Sequence, residues 1–383
     1  MVYVSDFLRF YTAGQIVLHG QGLHAYDPQL QKSFMDLLIA PLHVSQVIYV
    51  MFVPFVFVLS APLAMMPLQT AYLVWIALSC LFIFASALLM HKFCPRFSKL
   101  SQTLTIFLGL FATMANLVCI ENGQIGAFSL LMSTGLTVVF LRLREKTNWL
   151  FDLAGGACLA LSSVKPHYAI FLAIPALARA RWRLLIFAAL SEVVLLTIAA
   201  QFIGWSNVFN YPHIVFEADA NTTFGAAVPT HMVCIRGILS FFMADALSLK
   251  ISMFVMLATA AALLWIWRKT PASAPVDRLL FALTLVTMLV LSPHTNLYDC
   301  LPLGLAAYLV LPSTSLSELF AIELKPLKWL SVSFALYPLF TALVYVIFEF
   351  VPAFEQNPLP LFLYHVGLML LFLRLSAARA PLT

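Results

Sequence analysis

The stretch LVWIALSCLFIFASALLM, residues 73–90, contains no charged or amide side chain. As a helix it can cross the roughly 30 Å hydrocarbon core of a bilayer, which needs about 20 apolar residues. The whole chain of 383 residues shares this character, because 62% of its residues are hydrophobic and only 10% are charged. Lipid cannot satisfy backbone groups, and long unbroken apolar runs are typical of helices rather than of barrel strands. The sequence therefore predicts an all-α, polytopic helical membrane protein and excludes an ordinary soluble one.

Working outward from this stretch, similar apolar runs predict about 11 membrane spans. They lie near residues 68–91, 100–120, 125–141, 151–164, 167–179, 184–203, 249–267, 278–292, 298–312, 330–350 and 359–373. No linker or low-complexity segment interrupts the pattern, so residues 1–383 are interpreted as a single membrane-embedded domain. The six cysteines lack metal-ligating spacing and are interpreted as packing residues.

The charged residues predict how these spans are oriented. All but five of the 21 Lys and Arg residues fall in the basic segments between spans, such as HKFCPRFSK, RLREK and RARWR, or in the basic C-terminal tail. On this layout the basic segments lie on one side of the membrane. The positive-inside rule places these segments in the cytoplasm. Four polar stretches fall on the opposite, external side: residues 5–14, residues 121–126, a long loop at 205–237, and residues 292–299. We therefore expect the chemistry at the external face.

Two segments depart from simple spans. Pro54, Pro62 and Pro67 interrupt the first, which predicts a Pro-broken juxtamembrane helix on or in the outer leaflet. The second consists of two short apolar arms that meet at Lys165, between basic loops that must share one side. Short broken helices around Lys165 satisfy this requirement. A polar junction at membrane depth is tolerated where it lines a cavity, so Lys165 is expected to do so.

The external stretches supply candidates for catalysis and sugar binding. Asp6 is a candidate general base, because partial desolvation raises a carboxylate pKa toward working pH. The simpler alternative is an exposed ion pair with Arg9, one helical turn later. Glu121, Asn122 and Gln124 offer groups that bind sugar hydroxyls, and their alternative role is helix capping and turn formation.

A second group of candidates is suited to binding the phosphate of a donor: Lys165, His231, Arg236 and His294. A lysine in an apolar run is costly unless it snorkels, pairs or meets an anion. Arginine suits bidentate phosphate contact but is also a common interfacial anchor, and the histidines share this alternative. Tyr298 and Asp299 are candidates for sugar or acceptor binding, and the alternative is a role at the start of a helix.

Taken in order, these segments resemble the polyprenyl-phosphate-sugar-dependent glycosyltransferases of the GT-C superfamily, most closely family 87 (the DUF2029 group). The segments that carry the resemblance are SDFLRFYTAGQIVLHGQGLHAYDP, VPFVFVLSAPLAMMPLQTAYLVW, ENGQIGAFSLLM, DLAGGACLALSSVKPHYAIFLAIPALARARWR, ANTTFGAAVPTHMVCIRG and SPHTNLYDCLPL. No single motif is specific, whereas their order and spacing together cover most of the chain.

The resemblance implies a site at the external face. In such enzymes an Asp in the first external loop is the catalytic base, and Asp6 matches it. The family's GQ pair matches Gly123 and Gln124, its KP element matches Lys165, and its His-Tyr-Asp stretch matches residues 294–299. The family places a transmembrane helix before the Asp loop, and the resemblance implies that residues 1–383 lack it. Either the start is assigned too late, or the chain is a truncated or degenerate member.

The expected reaction moves a hexose or pentose, such as a mannose-like sugar, from a polyprenyl-phosphate donor to a glycolipid or glycan acceptor. An acceptor hydroxyl deprotonated by Asp6 would attack the anomeric carbon with inversion. No cofactor or metal is required, although Asp6 and Glu121 are able to bind a metal. The expected location is a bacterial plasma membrane, with the site facing the periplasm or exterior. The alternatives are a transporter or flippase of lipid-linked sugars, with broken helices of its own, and a non-catalytic GT-C-derived assembly subunit.

Overall fold

The structure, a computed structural model, describes residues 6–44, 49–93, 100–142, 148–220, 228–310, scattered positions between 329 and 344, and 359–377. Every regular element in these residues is a helix, which confirms the all-α prediction. The α-helices of this part, in chain order, are α1 (Phe7–Leu18), α2 (Pro28–Ile39), α3 (Pro54–Ala64), α4 (Leu68–Phe93), α5 (Leu100–Phe111), α6 (Met114–Asn122), α7 (Gly126–Arg142), α8 (Trp149–Leu161), α9 (Pro166–Ala178), α10 (Trp182–Ile203), α11 (Trp205–Ala220), α12 (Ile235–Leu239), α13 (Asp245–Lys269), α14 (Ala274–Leu291), α15 (Pro302–Val310) and α16 (Leu359–Ala377).

Helix length separates the membrane spans from shorter apolar helices. In the described ranges, α4, α10, α13 and α14 are long and apolar enough to cross a bilayer. Helices α5 and α6 form a fifth candidate, bent by 67°. The other predicted spans within these ranges correspond to shorter apolar helices, including α7, α8, α9 and α16. The chain is therefore an integral membrane protein in which several helices are too short to span alone.

Some predicted features lie outside the described residues. These are most of the span predicted at 330–350, most of the basic segments at 91–99 and 142–146, and the stretch containing Lys325 and Lys328.

The proline-interrupted segment forms a short helix followed by a break, as its sequence predicts. Helix α3 begins at Pro54 and ends at Ala64, and α4 begins just after Pro67. Helix α1 packs along α3, and its side chains satisfy carbonyl groups near the break. Gln15 Nε2 donates to the Ala64 carbonyl and Tyr11 Oη to that of Met66, each at 2.6 Å. The proline break thus anchors the helix that begins next to Asp6.

Two short helices meet beside Lys165, which confirms the predicted junction. Helix α8 ends at Leu161, a 3-10 turn covers Ser162–Val164, and α9 begins at Pro166. The turn is tied to the long helix α10 because Ser163 Oγ donates to Glu192 Oε2 at 2.8 Å. Glu192 is a carboxylic acid inside an apolar span, where a polar partner is required.

A buried ion pair holds the other end of α9. Arg179 follows the helix and donates from Nη2 to Asp277 Oδ1 at 2.7 Å, at the first turn of α14. Its Nη1 also donates to the Trp267 carbonyl at 2.8 Å, at the end of α13. Since 13 helical residues rise about 20 Å, this contact lies far from Lys165. Helix α9 is therefore held at its C-terminal end by the buried Asp277, and the turn before it is bonded to Glu192.

The expectation of a long loop at 205–237 was wrong for its first half, which forms helix α11. Val208, Tyr211 and Ile214 recur at a spacing of three residues and pack against the cluster that contains Tyr26 and Phe57. This apolar face stabilises the helix despite its polar residues and its internal proline.

Candidate functional site

Two glycines in residues 123–126 allow three segments of the site to meet. Gly123 ends α6 with φ +63°, and a Cβ there would lie 2.5 Å from the Phe7 Cβ. A Cβ on Gly126 would lie 2.3 Å from the Tyr298 carbonyl oxygen. Both distances are too short for any side chain. The turn therefore depends on glycine at both positions to place the start of α1 and the segment after α14 side by side.

Asp6 immediately precedes α1, and its side chain does not cap that helix. Its Oδ2 instead accepts a hydrogen bond from Gln124 Nε2 at 2.5 Å. Its Oδ1 lies 3.4 Å from Arg9 Nε, and the Asp6 side chain is 25% exposed. The carboxylate is therefore oriented by two neighbours while part of it stays open to a ligand.

The carboxylate faces a cavity of about 350 Å³. The polar part of its wall includes Asp6, Arg9, Asn122, His231, His294 and Tyr298. Val118, Val228 and Leu297 supply apolar surface. These side chains come from the start of α1, from α6, from the region just before α12 and from the segment after α14. The cavity combines one acid with an arginine and two histidines, within the usual size range of ligand sites.

The segment after α14 is held in shape by its own hydrogen bonds. Asp299 Oδ2 accepts from the Asn296 backbone N at 3.0 Å, as part of a capping box around a short 3-10 turn. Asn296 Nδ2 donates to Tyr298 Oη at 2.7 Å. Ser292 Oγ and Thr295 Oγ1 lie 2.5 Å apart. His294 and Tyr298 are therefore presented to the cavity by an ordered turn.

Lys165 and the first residues of α9 hold this same turn in place. Lys165 Nζ donates to Asp299 Oδ1 at 2.5 Å, and Tyr168 Oη donates to the Asp299 carbonyl at 2.9 Å. The His167 ring contacts the backbone of His294. The side chains of Lys165 and Asp299 are 11% and 0% exposed. Lys165 thus lies behind the cavity wall, where its charge is paired with a buried carboxylate.

His294 lies among basic side chains. Burial and the nearby Lys165 ammonium lower the pKa of the His294 imidazole well below its ordinary value, with smaller contributions from His167, Arg236 and Arg9. The ring is therefore neutral at pH 7 and offers a hydrogen bond rather than a charge. Of these basic groups, Lys165, Arg236 and Arg9 carry positive charge, which favours an anion over a cation beside His294.

The structure brings most of the predicted site residues together. Those that line the cavity are Asp6, Asn122, His231, His294 and Tyr298. Those that support its wall are Gln124, Lys165 and Asp299. Arg236 is fully buried in α12 and is close enough to contribute to the lowered pKa of His294. Glu121 is exposed and is not part of the cavity lining, although its backbone carbonyl accepts a hydrogen bond from Tyr72.

Three contributors were not predicted as site residues. Arg9 was expected only as an ion-pair partner of Asp6; that pair is present, and Arg9 also lines the cavity. Asn296 and His167 stand beside residues that were already candidates. Asn296 makes local contacts within its own turn, whereas His167 contacts the backbone of His294, which is far away in the chain. Within the described ranges, no group of three or more His, Cys, Asp or Glu side chains is arranged to hold a metal ion.

Comparison with known protein families gives a match. The family model GT87, described as glycosyltransferase family 87, matches residues 51–293, which is more than half of the chain. No curated protein and no solved structure matches this sequence.

Proposed function

This chain belongs to glycosyltransferase family 87, and on that premise we propose that it moves a sugar from a polyprenyl-phosphate donor to a hydroxyl of a glycolipid or glycan acceptor. The proposed fold type is GT-C, and the proposed site faces the exterior or periplasm of a bacterial plasma membrane. The observation that supports this most directly is a single cavity lined by both Asp6 and His294.

In the proposed reaction Asp6 is the general base. Gln124 Nε2 donates to Oδ2, and Oδ1, which lies 3.4 Å from Arg9 Nε, is the oxygen proposed to accept the proton of the acceptor hydroxyl. The hydroxyl oxygen attacks the anomeric carbon, the bond from that carbon to the phosphate oxygen breaks, and configuration inverts. A positioned base of this kind contributes about 10²–10⁴-fold to the rate.

The donor phosphate is placed beside His294. His231 and His294 supply hydrogen bonds from the cavity wall, and the buried Arg236 adds positive charge nearby, whereas the charge of Lys165 is paired with Asp299. Such preorganised groups stabilise the charge that develops on the departing phosphate. Asn122 and Tyr298 line the same space and are placed to contact sugar hydroxyls, whereas Glu121 would need to turn inward to do so.

The test is transfer by purified protein in lipid nanodiscs supplied with radiolabelled polyprenyl-phosphate sugars and membrane glycolipid acceptors. Asp6→Asn should lower the transfer rate by about 10²–10⁴-fold. The matched control is Asp27→Asn, since Asp27 caps α2 through the Gln29 backbone N and Asn is an equally good cap. Equal transfer by wild type and Asp6→Asn would remove Asp6 as the base. No transfer from any donor would favour a non-catalytic assembly subunit.

A further inference from the structure

Arg9 and Asp6 form an ion pair within the cavity itself. Arg9 Nε lies 3.4 Å from Asp6 Oδ1, one helical turn along α1, and the two side chains are 22% and 25% exposed. Both residues line the same space as His294. The Arg9 guanidinium is therefore close to the base and to the proposed phosphate position at once.

The charges in the proposed reaction change in a defined way, and this inference rests on that reaction. Before transfer, the donor phosphodiester carries one negative charge and Asp6 carries one. The acceptor O–H bond gives its proton to Asp6, and the electron pair of the broken sugar–phosphate bond stays on the phosphate oxygen. After transfer, Asp6 is neutral and the lipid phosphate carries two negative charges. One unit of charge has moved from Asp6 to the phosphate.

We propose that Arg9 follows this charge, pairing with Asp6 in the free enzyme and with the lipid phosphate once Asp6 is protonated. A guanidinium carries five donors and binds phosphate in a bidentate manner, so it can make this exchange by a side-chain rotation. Gln124 keeps Asp6 in place through Oδ2, so the carboxyl group stays put when Arg9 moves. Lys165 is less suited to this exchange, because it is bound to a carboxylate that is 0% exposed.

If Arg9 moves from Asp6 to the lipid phosphate in this way, the site should bind the lipid phosphate product more tightly than the donor. Arg9 should bind a phosphate monoester, which is a dianion above its second pKa of about 6, more strongly than a monoanionic diester. Arg9 should bind the monoester most strongly when the side chain at position 6 is neutral. The role thus concerns the binding of the leaving group and is separate from that of the base.

A binding experiment tests this without requiring turnover. The probes are geranylgeranyl phosphate and its methyl phosphodiester, titrated at pH 8 into protein in nanodiscs of zwitterionic lipid, with calorimetric detection. Arg9→Gln should weaken monoester binding by about tenfold and change diester binding by less than about twofold, as expected for a coupling of ordinary size. Arg9→Lys should keep most of the preference. Arg183→Gln, at an exposed position on α10, controls for the loss of one positive charge.

The Asp6→Asn variant imitates the protonated base and gives the decisive comparison. It should bind the monoester about tenfold more tightly than wild type, and Asp6→Asn/Arg9→Gln should lose that gain. Equal weakening of both probes by Arg9→Gln, or no gain in Asp6→Asn, would overturn the role of Arg9 while leaving the proposed function intact. If the wild-type protein bound neither the monoester nor the diester, both proposals would be overturned.

Discussion

Removing one partner of the buried pair of Lys165 and Asp299 should destabilise the folded protein by several kcal/mol. The paired atoms are 2.5 Å apart, and the two side chains are 11% and 0% exposed. Asp299→Asn removes the carboxylate and leaves the ammonium without its counter-charge, while the new side-chain oxygen can still accept from the Asn296 backbone N. Losing one partner of a buried pair costs about 3–5 kcal/mol. Lys165→Met should lower the free energy of unfolding by a similar amount, because it leaves the buried Asp299 carboxylate without its cation.

The double variant Lys165→Met/Asp299→Asn separates pairing from packing. It leaves no buried charge, so its cost should be smaller than the sum of the single costs by about 0.5–3 kcal/mol. The measurement is the free energy of unfolding in mixed micelles titrated with denaturing detergent, followed by tryptophan fluorescence. Additive costs of the two single substitutions would refute the inference that the pair acts as a unit.

The pair of Lys32 and Asp36 on α2 is a matched control for burial. It has the same 2.5 Å separation, but its side chains are 31% and 23% exposed and stand four residues apart on one helix. Solvent screens such a pair, so Asp36→Asn should lose much less stability than Asp299→Asn. Losses of equal size would show that burial does not determine the effect.

Three further outcomes are expected. Gly126→Ala should lower transfer activity and stability, since its Cβ would lie 2.3 Å from a carbonyl oxygen, whereas Gly109→Ala meets nothing within 4 Å and should keep both. Gln124→Leu should lower the transfer rate through the lost hydrogen bond to Asp6, and Gln124→Glu should also lower it through repulsion of like charges. Burial and Lys165 lower the pKa of His294 in the folded protein. The contribution of His294 to the free energy of unfolding is therefore complete above the ordinary histidine pKa of about 6.5, and below it that contribution falls by up to about 1.4 kcal/mol per pH unit. Unfolding measured from pH 8 to 5 should show a flatter dependence for His294→Gln, and identical slopes would contradict the assignment.

Local chemistry made several elements predictable. The apolar run at residues 73–90 forms part of the long helix α4, Pro54 and Pro67 bound a short helix and its break, and Pro166 begins α9 directly after Lys165. Each of these depends on side chains within a few residues of one another. Helix α11 was missed because its many polar residues and its internal proline obscure the spacing of the apolar residues on one face, whose burial depends on what packs against them.

The sequence by itself determined that this is a helical membrane protein whose scarce polar residues gather on a few segments. It also marked Asp6 and His294 as candidates and resembled the family that the comparison confirms. Only the tertiary structure decided which candidates meet. Lys165 and Asp299 are separated by 134 positions in the chain, and Asp6 and Gln124 by 118. Such contacts depend on helix packing and on close approaches at Gly123 and Gly126, which no local pattern specifies.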